Sequence, residues 1–298
     1  MSGPVLITGG AGSVGRLLVS RLRHEECSVR VFDLPTMNYA GLDGIRGIEV
    51  VKGDITDVDT VRRAVHGVEA VIHLAAILPP ASERDRARTF AVNVDGTSHL
   101  VRALESLAPQ AVLVFSSSVS TYGDTTQEPP PVQLSHARRA IDVYAESKIA
   151  GEQIVRNSRT SWVILRIAGI AVPAFQEPPA IWPFMPEQRV ELVHRDDVVT
   201  AIHHAAAART VRGKILNIAG GITWQMTGRE YVARLYDLMG VPLEDATFRT
   251  SPGWVDWYDT EESQQLLNYQ QTPYESFLAQ IEAEIARLMG DSDDLEKS

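Results

Sequence analysis

Tyr144 and Lys148 stand one helical turn apart in the run Val-Tyr-Ala-Glu-Ser-Lys. Residues four apart share a helix face, so the lysine ammonium can sit beside the tyrosine hydroxyl. A free phenol titrates at about pH 10 and is a poor base near neutrality. A neighbouring positive charge favours the phenolate and brings it toward the working range of a general acid/base. Such a pair alone is common on helix surfaces, and a second signal gives it weight. The opening Ile-Thr-Gly-Gly-Ala-Gly-Ser-Val-Gly sets Gly9, Gly12 and Gly15 as Gly-x-x-Gly-x-x-Gly between an apolar strand and a helix. Glycines there permit a tight turn, close approach of backbone to a pyrophosphate and close packing of helix on sheet. The helix N-terminus adds N–H groups and partial positive charge. Together the two motifs describe a phenol that moves a proton beside a bound nicotinamide.

Asp33 closes the second apolar run, ahead of Pro35. An acid there accepts hydrogen bonds from both ribose hydroxyls and repels a 2′-phosphate, which favours NAD over NADP. Asp54, in Gly-Asp-Ile-Thr-Asp, ends the third run on the same edge, where an adenine could lie. It could equally cap the helix that follows.

The elements that must position these groups alternate along the first two-thirds of the chain. Strands are expected at 5–7, 29–32, 48–51, 70–73, 111–115 and 162–167. Helices are expected at 14–23, 58–65, 87–106 and 141–157. Runs apolar throughout and separated by helices describe a parallel sheet buried on both faces, in an α/β, Rossmann-like doubly wound fold. After Ile167 the rhythm breaks at Pro173, Pro178, Pro179, Pro183 and Pro186, a loop-rich stretch with Phe175, Trp182 and Phe184. Helices at 198–208 and 229–239 and a strand at 214–218 follow. The reading is a NAD-binding unit over 1–167 and a smaller substrate-binding region over 168–298, partly interleaved with it. The acidic tail from Gly290 is expected to fray.

The composition is that of an ordinary globular protein, with 44% hydrophobic and 22% charged residues in 298. A formal charge of −10 and no basic stripe argue against a nucleic-acid partner. Arg84, Arg86 and Arg88 are interleaved with Glu83 and Asp85, as on a solvated helix face. The single cysteine, Cys27, leaves no internal disulfide and fits a reducing compartment. Val5 begins the first apolar run too early for a signal peptide, and no uninterrupted apolar stretch is long enough for a membrane span. A soluble, cytoplasmic protein is expected, without membrane partner or metal site.

With these motifs in order, the chain resembles the extended short-chain dehydrogenase/reductases, specifically the NAD-dependent epimerase/dehydratase family. The residues that carry the likeness are Thr-Gly-Gly-Ala-Gly-Ser-Val-Gly (8–15), Gly-Asp-Ile-Thr-Asp (53–57) and His-Leu-Ala-Ala (73–76). To these are added Asn93-Val-Asp-Gly-Thr, Phe-Ser-Ser-Ser-Val-Ser-Thr-Tyr-Gly (115–123), Tyr144-x-x-x-Lys148 and Val-His-Arg-Asp-Asp-Val (193–198). The resemblance implies that Ser118 orients the substrate oxygen and Tyr144 exchanges a proton with it. Lys148 would hold the nicotinamide ribose and lower the phenol's pKa. It places the dinucleotide against Gly9, Gly12, Ser13, Val14 and Gly15, then Asp33, Asp54 and Ile55, then Leu74, Ala75 and Ala76. Asn93, Tyr144 and Lys148 complete the cofactor set. Asn93 is implied to tie the central helix to the active-site strand, and His194, Asp196 and Asp197 to form a hinge and helix cap; Ser116 and Ser117 read by residue type as turn formers. A homodimer built on helices near 87–106 and 141–157 is also implied.

The chain departs from that pattern in three places. The dehydratases carry an Asp-Glu pair after the catalytic Ser/Thr, whereas Val119 and Ser120 stand here, and neither is an acid or base at neutral pH. No Asn follows Arg166 as it does in sugar-nucleotide epimerases. The segment from Arg166 to His194 is short and rich in Pro and aromatics, which points to a smaller or more apolar pocket, helped by Ile77-Leu78-Pro79-Pro80. The leading expectation is therefore an NAD-dependent oxidoreductase acting on a secondary alcohol or ketone of a small, sugar-derived or other carbonyl compound. The alternative is a redox-neutral sugar epimerase, and a non-catalytic dinucleotide sensor comes third.

Overall fold

The computed structural model describes residues 3–295, with side chains as far as Leu288. In chain order the first quarter holds β1 (Val5–Thr8), α1 (Ser13–His24), β2 (Val29–Asp33), β3 (Ile48–Lys52), α2 (Val58–Val65) and β4 (Ala70–His73). Next come the short α3 (Ala81–Arg84) and α4 (Arg86–Phe90), then α5 (Gly96–Leu107), β5 (Val112–Ser118), α6 (Val143–Arg156) and β6 (Ser161–Ile167). The remainder holds β7 (Gly169–Ala171), β8 (Arg189–Val190), β9 (Leu192–His194), α7 (Arg195–Ala207), β10 (Ile215–Ile218), β11 (Met226–Thr227), α8 (Gly228–Met239), α9 (Glu261–Leu267) and α10 (Tyr274–Leu295).

Seven strands form one parallel sheet in the order β10-β6-β5-β4-β1-β2-β3. The order reverses between β1 and β4, and in open α/β sheets ligands bind at the carboxyl end of such a reversal. Helices α1 and α7 pack together, as do α2, α5 and α6. The two layers explain why β1 and β4 are buried along their whole length. One apolar core joins Ile7, Leu18, Val31, Val114 and Ile202; another joins Leu6, Val61, Leu100, Leu113 and Phe115. A third gathers Trp182, Phe184, Trp224, Tyr231 and Phe277 in the C-terminal region. Strand β10 and helix α7 lie beyond Ile167 in sequence yet belong to the sheet and its cover.

Several elements differ from the sequence reading for identifiable reasons. The helix expected over 87–106 is interrupted by a π-helical turn at Ala91–Asp95. Such turns widen the backbone spacing by one residue and often mark functional sites. Strand β5 does not stop at Phe115: Ser116, Ser117 and Ser118 continue in register with Leu165, Arg166 and Ile167. The serines read as turn formers because they are polar, but Ser117 is satisfied by a buried carboxylate from α6 instead. Asp57, not Asp54, caps α2. Backbone of α10 stays helical to Leu295 rather than fraying at Gly290, and the last three residues lie outside those described.

Candidate active site

Gly9 lies at φ +70°, and a Cβ there would meet the Ala75 amide nitrogen at 2.9 Å. At Gly15 a Cβ would lie 2.6 Å from both Gly10 Cα and Gly9 O. The turn therefore passes directly over the end of β4, where Leu74 N donates to Thr8 O and Ala75 N to the Thr8 hydroxyl. Gly12 caps α1 with no side chain, and Ser13 and Val14 open the helix. This leaves a concave backbone surface at a helix N-terminus, the form a pyrophosphate needs. Asp33 flanks it, accepting from Ala11 N at 3.0 Å and Leu34 N at 2.8 Å. The Asp54 carboxylate folds onto its own turn, accepting from the Thr56 amide and hydroxyl, and Ile55 is buried against Gly96. His73 is clamped between the Thr8 and Thr97 hydroxyls, and burial pushes its imidazole down to about 3, so it is neutral. These residues fit a dinucleotide.

Two strands along, Ser118 ends β5, and its hydroxyl accepts from Ser120 N. Helix α6 crosses behind it, with Tyr144, Lys148 and Glu152 on one stripe. The Lys148 ammonium donates to the Ser116 carbonyl at 2.8 Å and lies 5.5 Å from the centre of the Tyr144 ring. It thus bridges the active-site strand and the phenol. Burial lowers Lys148 to about 8, opposed by the charge of Glu152. Tyr144 departs from expectation: burial, then the Asp142 carboxylate, raise its phenol above the ordinary value.

A buried network backs the site. Glu152 is fully buried and accepts from Ser117 Oγ, from Arg138 and from Arg166 through two nitrogens. Burial alone would raise this carboxyl, but the Arg166 hydrogen bonds and charge outweigh it and hold it low. Arg166 also donates to the Tyr122 hydroxyl, which in turn donates to Asn217. Glu152, four residues past Lys148, was open to reading as a third member of the stripe. Arg166 carries no local signal beyond its place near the end of β6. Asn93 grips the backbone of Ile77, just past β4, through both its amide atoms and donates to Ser147 on α6. Its anchor is thus the loop after β4 rather than β5.

A family model for the NAD dependent epimerase/dehydratase family matches residues 5–175. The chain belongs to that family. Among curated relatives, the 3β-hydroxysteroid dehydrogenase/Δ5→4-isomerase of Mycobacterium tuberculosis is 36% identical over 159 residues, 51% of this chain and 42% of its own. D-erythronate dehydrogenase of Cupriavidus necator is 35% identical over 182 residues, 56% of this chain and 55% of its own. The chain thus spans about half the length of the curated relatives it matches. A short-chain dehydrogenase/reductase superfamily protein of Agrobacterium tumefaciens, solved with bound NAD, superposes over 97% of this chain and 99% of its own. Its TM-score is 0.81 at 23% identity, a likeness of fold.

Within this epimerase/dehydratase frame, other residues singled out in the sequence find structural places. His194 caps α7 by accepting from Asp196 N, and Asp197 accepts from Gln271 N, Thr272 N and the Thr272 hydroxyl. No group of three or more His, Cys, Asp or Glu side chains fit to hold a metal occurs among the described residues. Nor is any described helix long and apolar enough to cross a membrane. Trp182 and Phe184 belong to the C-terminal core, their rings stacked at 5.8 Å. Phe175, Ile181, Leu78 and Ile141 remain exposed.

Proposed function

We propose that this protein is an NAD-dependent oxidoreductase that interconverts a secondary alcohol and its ketone, with Tyr144 as general acid/base. The observation that carries this reading is the Lys148 ammonium held between the Ser116 carbonyl and the Tyr144 ring, on the sheet edge that also carries the glycine turn. In alcohol oxidation, Tyr144, once ionised to the phenolate, takes the proton of the substrate hydroxyl while the carbon's hydrogen leaves as hydride. Bound NAD supplies the hydride acceptor. Ser118 orients the substrate oxygen, Lys148 holds the nicotinamide ribose, and Asp33 selects NAD by its negative charge. Gly9, Gly12, Ser13, Val14 and Gly15 would receive the pyrophosphate, with Asp54, Ile55 and Leu74–Ala76 along the adenosine side. In ketone reduction the same phenol returns its proton, and its raised pKa keeps it protonated for that step.

Residues 1–167 form the cofactor unit in this reading, and 168–298 the smaller substrate-binding region. The curated relatives support an alcohol substrate: one is named for a 3β-hydroxysteroid, the other for D-erythronate, a sugar acid. Elimination is disfavoured by Val119 and Ser120. The decisive experiment mixes the protein with NAD and a panel of sugar acids, sugars, nucleotide sugars and hydroxysteroids, following NADH absorbance and product stereochemistry together. Stoichiometric NADH supports the proposal. A changed stereocentre without NADH makes the protein an epimerase, and no product from any class leaves a dinucleotide sensor. We also assign it to the cytoplasm as a homodimer paired through α5 and α6. Sedimentation as a monomer at micromolar concentration would remove the dimer.

A further inference from the structure

An α-helix leaves its first backbone N–H groups without intrahelical partners. In α6 the first three are taken by two carboxylates from different parts of the chain. Asp142, the cap residue, accepts from Ala145 N at 2.7 Å. Glu83, on the segment after β4, accepts from Val143 N at 2.9 Å and from Tyr144 N at 3.2 Å, one through each oxygen. The Ser82 hydroxyl donates to Glu83 Oε1 at 2.7 Å and steadies the carboxylate. The same side of α6 is gripped next by Arg86, paired with Glu146, and by Asn93, bonded to Ser147. Asn93 also holds Ile77, where the segment leaves β4. Glu83 therefore bonds directly to the backbone that carries Tyr144, and Ile77 is tied to the same helix through Asn93 and the Ser147 hydroxyl.

We propose that Glu83 is a positioning residue for Tyr144: by fixing the main chain of the helix's first turn it holds the phenol where the substrate oxygen docks. The proposal rests on Tyr144 acting as the acid/base. Glu83 is exposed, so the contact adds little burial, and what it supplies is geometry. Water could satisfy the same two amides, but water would not fix their direction. Proton transfer needs a heavy-atom separation of about 2.6–3.2 Å, and a misplacement of about 1 Å can lower turnover about a hundredfold.

The test compares Glu83→Ala, Glu83→Gln and Tyr144→Phe in the full chain, with NAD and the better of D-erythronate and a 3β-hydroxysteroid as substrate. Amide hydrogen exchange at Val143 and Tyr144 is measured alongside in the cofactor-free protein. Glu83→Ala is expected to lower kcat by about tenfold or more, leave KM for NAD within about twofold, and speed exchange at both amides. Glu83→Gln keeps one acceptor oxygen and should recover part of kcat. If Tyr144→Phe retains turnover, the acid/base reading falls and this proposal with it. If Tyr144→Phe is inactive while Glu83→Ala keeps wild-type kcat, only the role of Glu83 is overturned. Unchanged protection of both amides in Glu83→Ala overturns it as well.

Discussion

At Tyr144 and Lys148 the protein pairs a phenol that keeps its proton with an ammonium that gives its own up early. Both shifts come from the same cause, burial, acting on groups whose charged forms have opposite sign. The neutral phenol is ready to donate; to act as a base it needs positive charge brought closer than the Ser116-bound ammonium now stands. Tyr144→Phe should therefore cut turnover by about 10²–10⁴-fold, while the melting-temperature rise given by NAD stays near that of the parent. Retained turnover would refute the assignment. Lys148 is cationic below pH about 8 and neutral above it. If it holds the ribose as a charged donor, the affinity for NAD should weaken as pH rises through that value. Lys148→Met should bind NAD weakly with no step there, and a flat wild-type profile from neutrality into the alkaline range would contradict the role.

The turn between β1 and α1 works because three backbone segments meet where a side chain would stand. At Gly15 the obstacles are Gly10 Cα and Gly9 O, so no rotamer change can relieve an added methyl. Gly15→Ala is expected to destabilise the fold by about 1–3 kcal/mol and to lose most of the thermal shift given by NAD. Gly44 gives the comparison: at φ +74° with nothing within 4 Å, it carries only backbone strain, so Gly44→Ala should leave the NAD shift intact. Equal loss of NAD response in both variants would show that the clash at the turn is not what matters. Helix α6 is the other decisive element. One stripe carries Tyr144, Lys148 and Glu152, and Glu152 joins the helix to Arg166 on β6 and Ser117 on β5.

A polar contact and a ring pair join the C-terminal region to the segment that follows β5. Asp256 accepts from Thr125 Oγ1 and pairs with Arg189, and Tyr258 stacks on Tyr122 at 6.4 Å. Beside them Glu191, fully buried, accepts from Gly221 N, Tyr258 N and the Gln225 amide. Burial raises its carboxyl from 4.5 to about 7 despite those donors, with Asp256 adding to the rise. A carboxyl that holds its proton more tightly folded than unfolded contributes stability in full below about pH 4.5, and loses it as pH climbs toward about 7. The wild-type melting temperature should thus slip between those values relative to Glu191→Gln. Parallel curves would mean that Glu191 is ionised throughout.

The sequence alone determined the parallel sheet, the glycine turn and the Tyr144–Lys148 face, because each is a local periodicity. Apolar runs of strand length, helical spacing of four and a strand–glycine–helix order need no knowledge of distant residues. Element ends were legible only within a few positions: nothing local said that Ser116–Ser118 would continue β5, since the Ser117 hydroxyl is satisfied there by Glu152 arriving from another helix. Asn93 is legible as a motif residue, but neither its grip on Ile77 nor the π-helical turn around it has a local sequence signal. Only the tertiary structure decided that Tyr144 is raised rather than lowered, that the Lys148 ammonium turns to Ser116 O, and that Glu83 reaches the first turn of α6. Each depends on desolvation or on pairing across long chain separations, which are properties of what packs around a residue and not of its neighbours in sequence.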